Sequence, residues 1–330
     1  MVDLALTEQF AAPARNAALR RFGRSDARFR FFTRAAALLV LLIFSGIMIA
    51  LVQGALPAIK AFGWGFLTTS VWNPVTEKFG GWPAIYGTLI TSFLAMIIAV
   101  PLGIGIAIFL TEICPRALKR PVGIAIELLA GIPSIIYGIW GLFIFAPYFQ
   151  VHIQPALIEF FSEIPVLQDI FAGPPYGIGI FTASLILSIM ILPFMSAVTR
   201  DVFETVPAMQ KEAAYGIGCT TWEVMWRIVL PFSRSGVVGG AMLALGRALG
   251  ETMAVTFVIG NAHRIETSLF APGTTISAAI ANEFTEALGD LYVPSLIYTG
   301  LILFGITFIV LATAQLMLYS MERRAGGKSG

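Results

Sequence analysis

Charged residues are scarce in this chain. Only 12% of its 330 residues are Asp, Glu, Lys or Arg, whereas 57% are hydrophobic and the mean hydropathy is +0.84. A soluble domain of ordinary composition carries about 25% charged residues. The composition therefore excludes an ordinary soluble globular protein and indicates an integral membrane protein.

Histidine and cysteine are also rare. His152 and His263 are isolated on the expected outer side, without the spacing of metal ligands. Cys114 and Cys219 both fall in segments that we assign below to the cytoplasm, so no disulfide framework is expected. No serine or cysteine nucleophile has a base at a persuasive spacing. The sequence therefore does not indicate an enzyme that acts alone.

A nucleotide-binding loop is missing as well. The tail contains the tripeptide at residues 327–329, Gly-Lys-Ser, but Glu322 occupies the position of the first P-loop glycine and no strand precedes it. We therefore expect that this chain binds no ATP, and it has no recognisable site for another cofactor.

Six apolar runs are each long enough to cross a hydrocarbon core about 30 Å thick. The first follows an arginine-rich segment and is longer than a usual signal-peptide core, so we interpret it as an uncleaved span. The predicted spans are residues 35–52, 85–110, 122–147, 177–199, 236–260 and 294–319.

Basic residues are concentrated on one side of these spans. With a cytoplasmic N-terminus, 17 of the 21 Lys and Arg residues face the cytoplasm, as the positive-inside rule requires. This predicts a basic cytoplasmic tail at 1–34, a first transmembrane helix at 35–52 and a cytoplasmic tail at 320–330. The outer segments carry an acidic rim, which fits either a docking surface for a protein or solvated loops.

A polar stretch at residues 212–231 separates two of the apolar runs. Thr220 and Glu223 have capping-box spacing, which predicts a short helix that begins near Thr221. Gly216 and Gly218 interrupt the chain before it, and Pro231 is expected to stop the helix before the next span.

This short helix is predicted to be amphipathic. Trp222, Met225, Trp226 and Val229 follow i, i+3, i+4, i+7 spacing and would share one apolar face. An apolar face outside the bilayer, between two spans, favours a protein partner rather than water.

Arg247 and Glu251 lie inside the predicted fifth span, where charge is costly and therefore a candidate for function. On a helix they would share one face and could pair. The pair either fixes helix packing or provides a positive centre that replaces the hydration of an anion. Gly246 and Gly250 bracket the arginine and favour close helix packing. Glu127, near a span end, is expected to have a packing or snorkelling role.

The polar stretch resembles the cytoplasmic loop signature of binding-protein-dependent ABC importer permeases. Longer segments at 120–147, 212–232 and 246–261 are similar to the PstC-type subunits of phosphate importers, a similarity that extends from about residue 85 onward. The residues that match the loop signature are Glu212, Ala213, Ala214, Gly218, Ile228, Leu230 and Pro231.

The resemblance implies an all-α integral membrane fold with six transmembrane helices: a type I ABC importer permease core, MetI-like, with an extra N-terminal span. The permease domain would cover 85–319, with its coupling loop at 200–235. Arg247 and Glu251 would act in phosphate translocation. The residues implied in coupling to the ATPase are Glu212, Ala213, Gly218 and Trp222.

The resemblance also implies partners: a PstA-like permease subunit, a PstB-like ATPase dimer that binds ATP and magnesium, and a periplasmic PstS-like phosphate-binding protein. The lipid bilayer is expected around the spans, and no nucleic acid is expected. Two alternatives remain open at this point, namely an ABC permease for sulfate or molybdate and an ion-coupled secondary phosphate carrier.

Overall fold

The computed structural model describes the backbone of residues 3–326 and the side chains of residues 26 and 28–320. Most side chains of the two predicted tails lie outside this description. Within the described backbone, fourteen α-helices are joined by short 3-10 and π-helical turns, and two strands form a small sheet.

The bounds of the α-helices follow the chain. They are α1 (Asp3–Phe62), α2 (Trp82–Ile108), α3 (Arg116–Ala130), α4 (Ser134–Trp140), α5 (Ala146–Tyr148), α6 (Gln154–Phe161), α7 (Pro165–Ile170), α8 (Ile180–Glu204), α9 (Ala208–Gly216), α10 (Thr221–Val224), α11 (Leu230–Leu249), α12 (Met253–Val258), α13 (Ile276–Glu283) and α14 (Tyr292–Gly326). The π-helical turns are Phe109–Ile113, Gly141–Phe145, Phe149–Ile153 and Met225–Val229, and a 3-10 helix covers Gly63–Leu67.

Six helical segments of the described chain are long and apolar enough to cross a membrane, which confirms the predicted number of spans. Several of them extend beyond the apolar runs. The segments are Arg28–Leu67, Trp82–Ile113, Ser134–Phe161, Ile180–Glu204, Thr221–Leu249 and Tyr292–Ser320.

The predicted bounds of the third span, 122–147, are wrong. Helix α3 ends at Ala130 and α4 begins at Ser134, with Pro133 between them. Proline lacks an amide hydrogen and disfavours the helical conformation of the residue before it, so the helix is interrupted there. The apolar segment instead runs from Ser134 to Phe161, into a region predicted to be an outer loop.

Helix α8 is the centre of the packed core. In its most apolar window, 67% of residues are buried, compared with 6% in the last span. Two of its buried serines bond locally, since the Ser184 and Ser196 hydroxyls donate to carbonyls of the preceding helical turn, whereas the buried hydroxyl of Thr199 has no hydrogen-bond partner. Small polar residues fit inside this core, and neighbouring helices pack around α8.

Close helix contacts depend on two glycines. A Cβ atom at Gly103 of α2 would lie 2.7 Å from Cγ of Met195 on α8. A Cβ atom at Gly138 of α4 would lie 2.8 Å from Cδ2 of Phe257 on α12. Larger residues would force these helix pairs apart, so Gly103 sets the approach of α2 to α8 and Gly138 sets the approach of α4 to α12.

A small hairpin adds to the helical fold. Strand β1 (Trp72–Asn73) pairs antiparallel with β2 (Lys78–Phe79), with Trp72 opposite Phe79. Oδ1 of Asn73 accepts hydrogen bonds from the amides of Val75 and Thr76, which closes the turn. Aromatic side chains of the hairpin pack against the start of α14 and form a second small core.

The chain divides into two compact units at Gly54. In the first span, none of the most apolar window is buried. The apolar window of this span is therefore exposed around its circumference, as expected of a helical segment in contact with lipid or another chain.

Candidate functional site

The predicted coupling loop folds as helix α9, a tight turn and helix α10. Helix α9 ends at Gly216 and α10 begins at Thr221. Between them, Gly218 has a φ angle of +91°, in the left-handed region that glycine adopts without steric cost. Glycine at this position therefore allows the change of direction between the two helices.

The start of α10 is capped in the predicted manner. Oγ1 of Thr220 accepts a hydrogen bond from the Glu223 amide at 3.3 Å, and Oε2 of Glu223 accepts one from the Thr220 amide at 2.9 Å. This reciprocal pair satisfies two amide groups that would otherwise have no helical partner. The prediction of a helix that begins near Thr221 is confirmed.

The predicted four-residue apolar face is wrong in part. Met225 and Val229 are buried in the core of this chain, whereas Trp222 is 67% exposed and Trp226 is 52% exposed. The two ring centroids lie 5.3 Å apart. Each i, i+4 pair shares one side of the helix. The side with Met225 and Val229 packs against the core, and the side with Trp222 and Trp226 does not. The tryptophans form an exposed aromatic pair.

The predicted end of this helix at Pro231 is also wrong. The π-helical turn Met225–Val229 leads directly into α11, and Pro231 lies in the first turn of that helix. The π turn changes the hydrogen-bond register just before the proline, which has no amide hydrogen to donate. The coupling loop is therefore connected to the fifth span by an uninterrupted helical segment.

Helix α9 is attached to the end of the second span by an ion pair that the sequence analysis missed. Nζ of Lys211 donates to Oε1 of Glu112 at 2.6 Å, and the two side chains are only 18% and 11% exposed. The neighbouring Glu212 and Ala213 are exposed, whereas Ala214 is buried. The partners are 99 residues apart in sequence, so no local spacing could have indicated the contact.

The segment around Arg247 does not continue as a helix. Helix α11 ends at Leu249, residues 250–252 are not helical, and α12 begins at Met253. Arg247 therefore lies in the last turn of α11, while Glu251 lies beyond its end. The expectation of a shared helical face is wrong, because the helix stops before Glu251 is reached.

Glu251 instead binds the start of the next helix. Its Oε1 atom accepts a hydrogen bond from the Ala254 amide at 3.3 Å. Arg247 is exposed, and in the described part of the chain it has neither an ion pair nor a hydrogen bond. The pairing of Arg247 with Glu251 is therefore absent from this conformation, and the guanidinium is available to another group.

The two glycines beside the arginine have different surroundings. A Cβ atom at Gly246 would lie 3.4 Å from Cδ2 of Leu311 on α14, in van der Waals contact. At Gly250 a Cβ atom would meet only backbone atoms of its own helix, at 3.7 Å or more. Gly246 thus lies at a helix–helix contact, and Gly250 lies at the open end of α11.

A polar network on the other end of the molecule was also missed from sequence. Glu283 accepts hydrogen bonds from Nε1 of Trp72 and from the Tyr292 hydroxyl, each at 2.7 Å, and it pairs with Nε2 of His263. The rings of Trp72 and His263 stack with centroids 4.9 Å apart. His263 is therefore not isolated, contrary to expectation, because four distant segments meet around one carboxylate.

The environment of Glu283 shifts its titration. Burial of the carboxyl group raises its pKa, but the hydrogen bonds from His263 and Tyr292 outweigh burial and hold the pKa below the usual value of 4.5. The carboxylate form is therefore the one that the fold stabilises.

The described residues contain no group of three or more His, Cys, Asp or Glu side chains that could hold a metal ion. The chemistry that the described sites offer is different. One is an exposed guanidinium beside a helix break, which suits an oxyanion, and the other is an exposed aromatic pair on a capped loop, which suits a protein partner.

Comparison with known proteins supports one class. Residues 99–323 match the model of the binding-protein-dependent transport system inner membrane component. The phosphate transport system permease protein PstC of Mesorhizobium japonicum is 64% identical over 322 residues, 96% of this chain and 98% of that protein. The PstC of Pasteurella multocida is 59% identical over 300 residues, 91% of this chain and 93% of that protein.

A solved structure has the same fold at low sequence identity. A chain of the bacterial ABC transporter involved in import of the acidic polysaccharide alginate superposes with a TM-score of 0.59 and 18% identity, covering 88% of this chain and 96% of that one. The all-α, six-span type I importer fold is thereby confirmed.

The class is a multi-pass inner-membrane component of a transporter rather than an enzyme. The chain belongs to the binding-protein-dependent transport system inner membrane components, and within them to the PstC group of permease proteins.

Proposed function

We propose that this chain is the permease subunit of an ATP-driven importer that translocates inorganic phosphate across the cytoplasmic membrane. The observation that carries the proposal is the 64% identity, over 96% of the chain, to a phosphate transport system permease protein. The charge distribution supports an orientation with both termini and the coupling loop in the cytoplasm.

Arg247 is proposed to contact the phosphate on its way across the membrane. It lies 16 residues after Pro231, or about 24 Å along a helix, so it is well inside a span that begins near the proline. Non-helical backbone at membrane depth is tolerated where it lines a cavity or is buried in protein, which fits the break at 250–252. The guanidinium stays charged and offers planar donors to an oxyanion.

Glu251 is proposed to act with Arg247 in a second way. In the described conformation it is partly buried and bound to the Ala254 amide, so it leaves the arginine free. When the site is empty, rotation of Glu251 towards Arg247 would neutralise the charge. When phosphate is present, the carboxylate can accept a hydrogen bond from a protonated phosphate oxygen. Glycine at 246 allows close contact with α14, and glycine at 250 leaves the end of α11 beside Arg247 uncovered.

The loop from α9 to α10 is proposed to couple the spans to a separate ATPase subunit. The exposed tryptophan pair and the exposed Glu212 and Ala213 support this role, because an apolar surface in water favours burial against a partner. Gly218 provides the turn. The continuous path from Trp222 into α11 would transmit movement of the loop towards Arg247.

The assembly is proposed to contain a PstA-like permease, a PstB-like ATPase dimer and a periplasmic PstS-like phosphate-binding protein. ATP and magnesium would be bound by the ATPase, since the P-loop pattern is incomplete in this sequence. ATP binding would draw the coupling loops of the two permeases together and open the spans to the outside.

The test is uptake by the reconstituted complex. Proteoliposomes that contain the permease with its partner subunits are loaded with ATP, and uptake of radiolabelled phosphate is measured with and without excess sulfate. We expect uptake that requires ATP and that sulfate does not suppress. Uptake driven by an ion gradient without ATP, or suppressed by sulfate, would contradict the proposal.

A further inference from the structure

A cavity of about 320 Å³ opens between α3 and the end of α8, and two of its lining residues, Arg200 and Glu204, lie at the start of the predicted coupling loop. It is lined by four basic side chains, two acidic side chains and one isoleucine. The lining residues are Arg116, Lys119, Arg120, Ile124, Glu127, Arg200 and Glu204. With the carboxylate of Asp201, which contacts Arg200, four cations face three carboxylates, so the cavity carries a net positive charge.

The basic residues of α3 are placed together by helical spacing. Helical spacing puts four charged residues on one side of α3, namely Arg116, Lys119, Arg120 and Glu127. Gly123 lies on the same side and is buried. This side of α3 faces α8, while much of the rest of the helix is apolar and exposed, including Leu128, which is 69% exposed.

Two of the four cations are neutralised within the cavity. Nζ of Lys119 lies 3.1 Å from Oε1 of Glu204. Nη2 of Arg200 lies 2.7 Å from Oε1 of Glu127 and 3.0 Å from Oδ1 of Asp201. The two acidic residues of the cavity are thereby both engaged by cations.

The other two cations have no partner. In the described part of the chain, Arg116 and Arg120 are exposed and form neither an ion pair nor a hydrogen bond. They are four residues apart, so their guanidinium groups lie on the same side of α3 and repel one another. An anion placed between them would remove this repulsion and accept hydrogen bonds from both.

The position of Arg200 is also built into the fold. A Cβ atom at Gly123 would lie 3.1 Å from Nη1 of Arg200, closer than an ordinary van der Waals contact. Glycine at 123 therefore lets the guanidinium lie directly against α3. Arg200 pairs with Glu127 and Asp201, and its side chain is only 20% exposed.

We propose that Arg116 and Arg120 bind a phosphate-type oxyanion in this cavity, as a second anion site separate from the transport path. Arginine side chains suit a tetrahedral oxyanion because each offers paired, planar donors. The anion is either free inorganic phosphate or the phosphodiester of an anionic lipid, since basic cavities at the cytoplasmic membrane surface bind such headgroups. The cytoplasmic placement of the cavity rests on the orientation in the proposed function, whereas the binding chemistry does not.

The test uses the two permease subunits with the ATPase dimer in lipid nanodiscs, without the periplasmic phosphate-binding protein, which would itself bind the labelled phosphate. The parent carries Arg247→Gln, so that the proposed transport-path cation does not contribute to binding. One arm uses phosphatidylcholine alone and measures equilibrium binding of radiolabelled inorganic phosphate. The other arm adds phosphatidylglycerol, omits phosphate and measures the immobilised fraction of a spin-labelled phosphatidylglycerol. Each arm compares the parent with R116Q/R120Q, and R234Q is a matched exposed arginine outside the cavity.

Loss of the two cations is expected to weaken binding by about tenfold to thirtyfold in at least one arm, and R234Q is expected to bind like the parent. A loss confined to the phosphate arm identifies free phosphate, and a loss confined to the lipid arm identifies the lipid phosphodiester. R116K/R120K keeps both charges and is expected to retain most of the binding, which separates a charge effect from misfolding. Equal binding by the parent and R116Q/R120Q in both arms, or equal losses in R116Q/R120Q and R234Q, would overturn the proposal.

The readout is independent of transport. Failure of the wild-type complex to take up phosphate would contradict the proposed function, and it would leave the difference between the parent and R116Q/R120Q intact. Conversely, normal uptake with no such difference would overturn only the second anion site.

Discussion

Arg247 lies at the end of a helix and not in its middle. The break at 250–252 frees the last carbonyl groups of α11 and the first amides of α12 beside an exposed guanidinium. A charged side chain inside a span is costly unless it meets a polar group or a water-filled cavity. The break supplies such polar groups within one turn of the arginine.

Arg247→Gln is expected to reduce ATP-dependent phosphate uptake at least a hundredfold, because glutamine cannot supply the positive charge that replaces phosphate hydration. The complex should assemble at normal yield, since Arg247 makes no ion pair or hydrogen bond in the described chain. Proteoliposome uptake measures the effect, and Arg234→Gln is the control. Normal uptake by the Arg247 variant would exclude the role.

Glu283 is expected to stabilise the part of the fold where Trp72, His263 and Tyr292 meet. Glu283→Gln should lower the free energy of unfolding by about 1–3 kcal/mol, because a charged acceptor of several hydrogen bonds is replaced by a neutral one. The control is Glu266→Gln, whose ion pair with Arg264 is more than 40% exposed on both sides and should contribute less than about 1 kcal/mol. Thermal unfolding of the purified complex compares the two.

The same carboxylate predicts a dependence on pH. Since the folded pKa of Glu283 is lowered below 4.5, its stabilisation is fully present above about pH 4.5 and is lost as the pH falls through the folded pKa. The wild-type protein should therefore lose more stability than the Glu283→Gln variant below pH 4.5. Parallel acid profiles of the two proteins would contradict this assignment.

At the scale of elements, the coupling loop combines a rigid start with an exposed surface. The capping box sets where α10 begins, and Met225 and Val229 attach the helix to the core. Trp222 and Trp226 remain outside, so the loop is held in place whether or not a partner is present. A pre-formed surface of this kind costs little ordering entropy on binding.

Trp222→Glu is expected to release the ATPase subunit, because it places a charge within the apolar contact while leaving the buried side of the helix unchanged. The proportion of ATPase that co-purifies with the permease should fall at least tenfold. Trp222→Phe keeps the aromatic surface and serves as the control. Wild-type recovery of the ATPase with the Trp222→Glu variant would show that the loop docks elsewhere.

The attachment of α9 to the second span can be tested by one substitution. Lys211→Met leaves the partly buried Glu112 without its cation and should cost about 1–3 kcal/mol of stability. Lys119→Met is the matched control, because its pair with Glu204 is 40% and 50% exposed and should contribute less than about 1 kcal/mol. If both variants unfold at the same temperature, the Lys211–Glu112 pair does not anchor α9.

At the scale of the whole molecule, the orientation in the membrane is testable with cysteine labelling. In a background with Cys114 and Cys219 replaced by serine, Val75→Cys and Ile217→Cys place thiols at positions that are 92% and 83% exposed. An impermeant maleimide should label residue 75 in spheroplasts and residue 217 only in inverted vesicles, because the positive-inside rule puts them on opposite sides. Labelling of both positions from one side would contradict the proposed topology.

Much of the fold follows from local pattern. The six apolar runs predict six spans because a hydrocarbon core requires about twenty apolar residues in a helix. The Thr220 and Glu223 spacing predicts a helix start because both partners of the cap lie within one turn. The bounds of the spans were less predictable. Pro133 lies within an apolar run and does not interrupt its hydropathy, but the missing amide hydrogen of this proline interrupts the helix.

The candidate sites depend on helix ends and on contacts between distant segments, which the local sequence pattern does not specify. Arg247 was found because an in-span charge is costly wherever it lies, whereas its separation from Glu251 required knowledge of where α11 ends. The partners of Glu283 and Lys211 come from distant segments, and only packing brings them together.

By itself the sequence determined that this protein is a six-span membrane protein with a capped polar loop between two spans and an arginine within a span. These features rest on hydrophobicity, charge and spacing, which act over neighbouring residues. The tertiary structure alone decided the break beside Arg247, the burial of Met225 away from Trp222 and the cavity with two unpaired arginines. Those features arise from the way distant helices fill space against one another, and no local pattern specifies that packing.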